Sequence, residues 1–168
     1  DSDPLFPPDA LDAFGLLSLA RRDPLKLKEF ENAFKSEDGS RFHEDGILHH
    51  KSGGGVSTWN HSQTGVGMIE VLGRNISGKA SWLLSAINPD VKRGVQIVVG
   101  FDGKIRLMSN MFQKEDKIEP IDLVQKNPDE LREFRPLGLL MKEREIQVFL
   151  NGVAISDVIT LDYDLVPG

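Results

Sequence analysis

The chain has 168 residues, of which 39% are hydrophobic and 27% charged, and 26 acidic against 20 basic side chains give a net charge of −6. This composition fits one folded domain with a small appendage and excludes an extended disordered chain. The negative charge argues against nucleic acid and anionic lipid as partners. The absence of cysteine excludes disulfides and thiolate chemistry.

Residues 1–35 carry helix signals. Asp23 is placed as an N-cap and Pro24 at the first position of a helix, where its missing N–H costs nothing. Apolar residues on either side recur at helical spacing: Ala10, Ala13, Phe14, Leu17, Ala20, Leu27, Phe30 and Phe34. We therefore predict a short N-terminal helical cap over residues 1–35, followed by a β-domain over residues 36–168.

Three dipeptides predict β-hairpins: Asp45-Gly46, Asp102-Gly103 and Asn151-Gly152. A type I′ turn at Asn151-Gly152 pairs Leu150 with Val153 and Val148 with Ile155, which puts these aliphatic side chains on one inward face.

A two-residue turn at Asp102-Gly103 would place Lys104 on the apolar face of its partner strand. A three-residue loop over Phe101–Gly103 restores the pattern, pairing Val99 with Ile105 and leaving Gly103 in the left-handed conformation of a bulge.

Alternating patterns predict further strands over residues 66–72, 79–87 and 134–141, with Trp82 and Leu84 on one face of the second. Lys114 to Glu133 is charged, contains prolines, and is predicted to be a long connection with one helical turn near Asn127. About eight or nine short strands joined by hairpins are typical of a mainly β, antiparallel sandwich.

Four segments carry a family resemblance: Asp38–Leu48, Val66–Val71, Val98–Phe101 and Ile146–Val153. In pattern and order, residues 36–158 resemble the concanavalin A-like lectin/glucanase superfamily, which includes laminin-G-like modules. The resemblance implies a jelly roll of two curved antiparallel sheets and an extracellular or periplasmic location. Catalytic members carry a strand motif with several carboxylates, whereas Glu70 stands alone on the corresponding strand here.

The polar segment around Trp59, Asn60 and His61 is the best candidate ligand-binding site. A loop tryptophan beside amide and hydroxyl groups suits a sugar, which stacks on the ring and hydrogen-bonds to its neighbours. The alternative is that Trp59 packs into the edge of the sandwich.

Metal sites are weakly indicated. His43 and His50 would lie diagonally on one face of the Asp45-Gly46 hairpin, but ordinary half-exposed strand histidines are the favoured explanation. Four aspartates are available as oxygen ligands for calcium: Asp102, Asp157, Asp162 and Asp164. We predict no metal site and no cofactor, with calcium as the one cofactor left open.

The leading hypothesis is a non-catalytic module that binds a carbohydrate or a protein ligand. No apolar run approaches the roughly 20 residues of a membrane-spanning helix, so no membrane insertion is expected. One alternative is a sugar-processing hydrolase using Glu70, His43 or Asp45. Another is a structural domain of a larger surface protein, because the first residue is Asp1 and flanking domains are expected.

Overall fold

The computed structural model describes residues 26, 28–29, 41–44, 47–50, 66–76, 81–109 and 120–165. It is mainly β. Its strands are β1 (Arg41–Glu44), β2 (Ile47–His50), β3 (Val66–Gly73), β4 (Trp82–Asn88), β5 (Arg93–Val99), β6 (Lys104–Ser109), β7 (Ile121–Gln125), β8 (Arg135–Lys142), β9 (Glu145–Leu150), β10 (Val153–Ala154) and β11 (Ile159–Thr160), with a 3-10 helix at Pro128–Arg132. Within these ranges, no helix is both long and apolar enough to cross a membrane.

The chain divides into two compact units, residues 21–61 and residues 1–20 with 62–168. In the smaller unit, β1 pairs antiparallel with β2, and Glu44 lies opposite Ile47. This register confirms the two-residue connection predicted at Asp45-Gly46.

The helical cap predicted over residues 1–35 is not supported. Of that range the structure describes Lys26, Lys28 and Glu29, and the last two are helical. The remaining residues of the predicted cap, and the boundary at residue 36, lie outside the described residues.

The first sheet of the larger unit has the order β4-β5-β6-β7, all antiparallel. Val99 pairs with Ile105, Gly103 has a φ of 84°, and the Gly103 N–H donates to the Gly100 carbonyl at 3.1 Å. The predicted three-residue loop and its bulge glycine are confirmed. The long connection predicted over residues 114–133 is wrong in part, because β7 lies within it, whereas its predicted helical turn near Asn127 is confirmed by the 3-10 helix at Pro128–Arg132.

The second sheet has the order β10-β9-β8-β3, with β11 also paired to β9. At the β9–β10 turn, Asn151 and Gly152 have φ values of 53° and 73°, and Val153 lies opposite Leu150. Positive φ at both central residues confirms the predicted type I′ turn. The inward placement of Val153 is wrong, since its side chain is 59% exposed.

Both sheets contribute to one hydrophobic core. From β4, β5 and β6 the buried members are Leu84, Val95, Ile97, Val99, Ile105 and Leu107; from β8 and β9 they are Leu137, Leu139, Met141, Ile146, Val148 and Leu150. Trp82 and Ala86 pack against this cluster, as the alternation of β4 predicts. Two antiparallel sheets with a shared apolar interior follow from period-two patterning.

The second sheet is also buried on its other face. Leu140 and Phe149 are 0% and 1% exposed, although their neighbours Leu139 and Val148 point into the core cluster. The Met68 side chain occupies the space where a Cβ at Gly138 would lie. Apolar side chains therefore lie on both faces of strand β8, and its sequence does not alternate between apolar and polar residues.

The C-terminal segment closes the turn between β8 and β9. Leu161, Tyr163 and Leu165 are buried, and the N–H groups of Leu161 and Leu165 donate to the carbonyls of Arg144 and Glu143 at 2.7 and 2.8 Å. Asp162 and Asp164, between them, are exposed. The buried side chains and the two hydrogen bonds attach residues 161–165 to the larger unit.

Candidate functional site

The structure leaves the predicted sugar-binding residues untested. Trp59, Asn60 and His61 lie outside the described residues. In the β1–β2 register, His43 lies opposite Leu48 and His50 opposite Arg41. Among the residues that the structure describes, no group of three His, Cys, Asp or Glu side chains is placed to hold a metal.

The aspartates considered for calcium do not converge on one point. Asp102 accepts hydrogen bonds from Arg106, Asp162 pairs with Arg93 at 3.2 Å, and Asp164 pairs with Arg144 at 2.9 Å. Such charge-assisted pairs occupy the carboxylate oxygens that a cation would need. Asp157 lies elsewhere, in a groove.

This groove, here called the edge groove, lies between β7, at the end of the first sheet's strand order, and the segment that follows β10, at the end of the second sheet's order. It has a volume of about 290 Å³ and is lined by Ile121, Asp122, Leu123, Ile155, Ser156, Asp157 and Ile159. Leu123, Ile155 and Ile159 pack against the core below. The groove therefore has an aliphatic floor that continues the hydrophobic interior to the surface.

One wall is β7, the last strand of its sheet. The register of β6 and β7 shifts between Ile105 and Arg106, which leaves Leu123 as an extra residue in a bulge. Asp122 is held by Arg106 Nε at 3.2 Å and by Lys104 Nζ at 3.6 Å. In the described part of the chain, no strand pairs with the outer edge of β7.

The other wall is the arch that runs from the end of β10 into the first residue of β11, residues 155–159. The Ile155 N–H donates to the Val148 carbonyl at 2.9 Å, and the Ser156 hydroxyl accepts from the Val148 N–H at 2.9 Å. Gln147 Nε2 donates to the Ser156 carbonyl at 3.1 Å. The side chains of Ser156 and Gln147 thus make hydrogen bonds where two paired strands would use backbone groups, and these bonds fix the arch to β9.

Replacing Ser156 with alanine tests this support. Val148 is completely buried, so the Ser156→Ala variant leaves its N–H without an acceptor. We expect a loss of about 1–3 kcal/mol in the free energy of unfolding, measured by urea denaturation. Ser85→Ala is the control, because that hydroxyl accepts only a 3.4 Å bond from the Gln96 side chain. Equal losses in both variants would contradict the bonding described.

Asp102 organises the loop beside β7. Its carboxylate accepts from the Lys104 N–H at 3.1 Å and from Arg106 Nη2 at 3.0 Å. The Lys104 N–H, followed by the Arg106 guanidinium, lowers the pKa of Asp102 below its usual value of 3.8. Arg106 thus links Asp102 to Asp122 on the groove wall.

This lowered pKa predicts a pH dependence of stability. A depressed folded-state pKa contributes stability above the unfolded value, and that contribution is lost as the pH falls through the folded value. We therefore expect the stability gap between the wild type and Asp102→Asn to be constant from pH 7 to about pH 5 and to shrink below about pH 4. Thermal denaturation between pH 2 and 7 measures it, and a gap that widens in acid contradicts the assignment.

Sequence reasoning missed the edge groove. Its walls, residues 121–123 and 155–159, are distant in the chain. They line one groove only because β7 lies at the edge of the first sheet and the arch lies at the edge of the second. A local signal was present for the first wall. Ile121 and Val124 are β-branched residues in a short apolar run, a pattern that favours a strand.

Comparison with known proteins finds no matching family model, and it finds no significant match among curated proteins or solved structures.

Proposed function

We propose that this chain is a non-catalytic binding module with a concanavalin-like β-sandwich, and that it binds a segment of a partner protein in the edge groove. The two antiparallel sheets with one core support the sandwich. The observation that carries the function is the edge groove itself. Ile121 is 49% exposed there, beside the outer edge of β7, with which none of the described strands pairs.

The chemistry of the edge groove suits an extended polypeptide. A peptide that adds to a sheet edge gains main-chain hydrogen bonds, and alternate side chains then enter pockets. Here the edge is β7 and the pocket is the aliphatic floor formed by Leu123, Ile155 and Ile159. A sugar would instead need a ring face to stack on, and the groove is lined by aliphatic and small polar side chains.

A carbohydrate ligand held by Trp59, Asn60 and His61 is the second candidate function, favoured by the amide and hydroxyl groups beside that tryptophan in the sequence. Hydrolysis is disfavoured because a glycosidase uses a pair of carboxylates, and Glu70 is the one acidic side chain of β3.

Peptide selection tests the protein-binding proposal. Phage-displayed random peptides are selected on the wild type, and the enriched sequences are made and measured by fluorescence anisotropy. We expect Ile121→Lys to weaken their binding at least about tenfold, because it places a charge on the apolar wall that β7 contributes to the groove. Ile76→Lys is the matched control, since Ile76 is also exposed, at 71%, and does not line the groove.

A glycan array gives the opposing outcome. If glycans bind, and Trp59→Ala abolishes that binding while Ile121→Lys does not change it, the carbohydrate proposal replaces the protein-binding one. If the selected peptides bind Ile121→Lys as well as they bind the wild type, the edge groove is not their site.

A further inference from the structure

The two walls of the edge groove differ in charge. On β7, Asp122 is paired with both Arg106 and Lys104, so its charge is compensated locally. On the arch, Asp157 is exposed, and within the described part of the chain no hydrogen bond or ion pair involves its carboxylate. Among the described residues that line the groove, Asp157 is therefore the carboxylate with no cation paired to it.

Asp157 is held where a bound side chain could reach it. The arch that carries it is fixed on one side by the Ser156 hydroxyl and carbonyl, and both Ile155 and Ile159 are anchored on the core. The Asp157 carboxylate lies on a fixed arch next to the aliphatic floor. It can therefore pair with a positively charged side chain whose methylene groups pack along that floor. Lysine and arginine have this form, with a long apolar stem and a charged head.

Resting on the proposed function, we infer that the occupant of the edge groove is an extended peptide strand with alternating aliphatic residues and one lysine or arginine in the same alternation. Added to β7, such a strand directs every second side chain toward the floor. The aliphatic members cover Leu123 and Ile155, and the basic member pairs with Asp157. Charge complementarity at Asp157 selects the basic peptide over acidic ones.

Three synthetic peptides provide the test. Each is acetylated and amidated, with the sequence Thr-Val-Thr-X-Thr-Val-Thr, and X is lysine, threonine or glutamate. Binding is followed in the full chain by NMR, through amide shifts of β7. We expect the lysine peptide to bind about threefold to fivefold more tightly than the threonine peptide, and the glutamate peptide to bind most weakly, with differences that shrink as salt is raised.

Variants at Asp157 decide whether the selectivity comes from this carboxylate. Asp157→Asn should abolish the preference for lysine over threonine, and Asp157→Lys should make the glutamate peptide the strongest binder. Glu145→Gln controls for the loss of a negative charge elsewhere on the same sheet, and should keep the lysine preference.

The outcomes separate the inference from the proposed function. If all three peptides shift β7 amides with equal affinity, the edge groove binds strands but the charge selection is wrong. If the lysine preference survives Asp157→Asn, the inference is also overturned. If none of the three peptides shifts β7 amides while phage-selected peptides do, the inferred occupant, an alternating aliphatic and basic strand, is wrong. If neither set does, the proposed function itself fails.

Discussion

Replacing Gly103 with alanine is expected to lower the free energy of unfolding by about 3 kcal/mol or more. Gly103 has a φ of 84°, a region that costs residues with a Cβ about 1–2 kcal/mol. The added Cβ would also overlap the Lys126 carbonyl oxygen and lie 2.9 Å from Gln125 Nε2. The hydrogen bond from the Lys126 N–H to the Gly103 carbonyl, 2.9 Å long, would be strained as well. Urea denaturation of the full chain measures the loss.

Two further variants separate backbone strain from collision. Gly152→Ala changes a second glycine with positive φ, in the exposed β9–β10 turn, and indicates the conformational cost there. Gly103→Asn introduces a residue that tolerates positive φ but still carries a Cβ. If Gly103→Asn is much more stable than Gly103→Ala, backbone strain causes most of the loss and the collision with Lys126 causes little of it. We expect Gly103→Asn to recover little of the free energy of unfolding that Gly103→Ala loses.

The hairpins were predictable because their physics is local. Asn151-Gly152 and Asp102-Gly103 determine turn type through positive φ, and the flanking aliphatic residues then permit one register. The structure has Leu150 opposite Val153 and Val99 opposite Ile105, as predicted. Few residues and short distances are involved, so the sequence pattern is sufficient.

The turn between β8 and β9 had no such signal. Its two residues are Glu143 and Arg144, and Glu143 has a φ of 52°, which glycine or asparagine normally supplies. The turn is held by distant residues instead. Leu161 and Leu165 donate to its carbonyls, and Asp164 pairs with Arg144. Asp164, considered as a calcium ligand from sequence, has this structural contact.

Strand β8 shows why the alternation between apolar and polar residues was overestimated. Leu139 and Leu140 are adjacent, point to opposite faces and are both fully buried. A strand covered on both faces has no polar side, so its sequence becomes a continuous apolar run. The pattern predicts that the strand exists but not which elements cover it. The edge groove likewise depends on which sheet edges lie next to each other in the fold. No local sequence pattern predicts that arrangement.

The core supplies the second large effect. Ile97 on β5 and Leu139 on β8 are both completely buried, and they belong to different sheets of one hydrophobic cluster. Truncation of either to alanine removes apolar contacts and leaves a cavity, which costs about 2–5 kcal/mol. We therefore expect Ile97→Ala and Leu139→Ala to lower the urea midpoint by similar amounts. Leu83→Ala is the control, because Leu83 is 43% exposed and should change stability by about 0.5 kcal/mol or less.

Hydrogen exchange shows whether the two sheets unfold together. If the sheets share one core, Ile97→Ala must reduce protection of β8 and β9 amides as strongly as that of β4 and β5 amides, because one cooperative unit loses stability. Leu139→Ala must show the converse. Loss of protection confined to the mutated sheet would mean that the sheets are separately stable. The sandwich would then be wrong, and the edge groove, whose walls come one from each sheet, would have no fixed geometry with which to select a ligand.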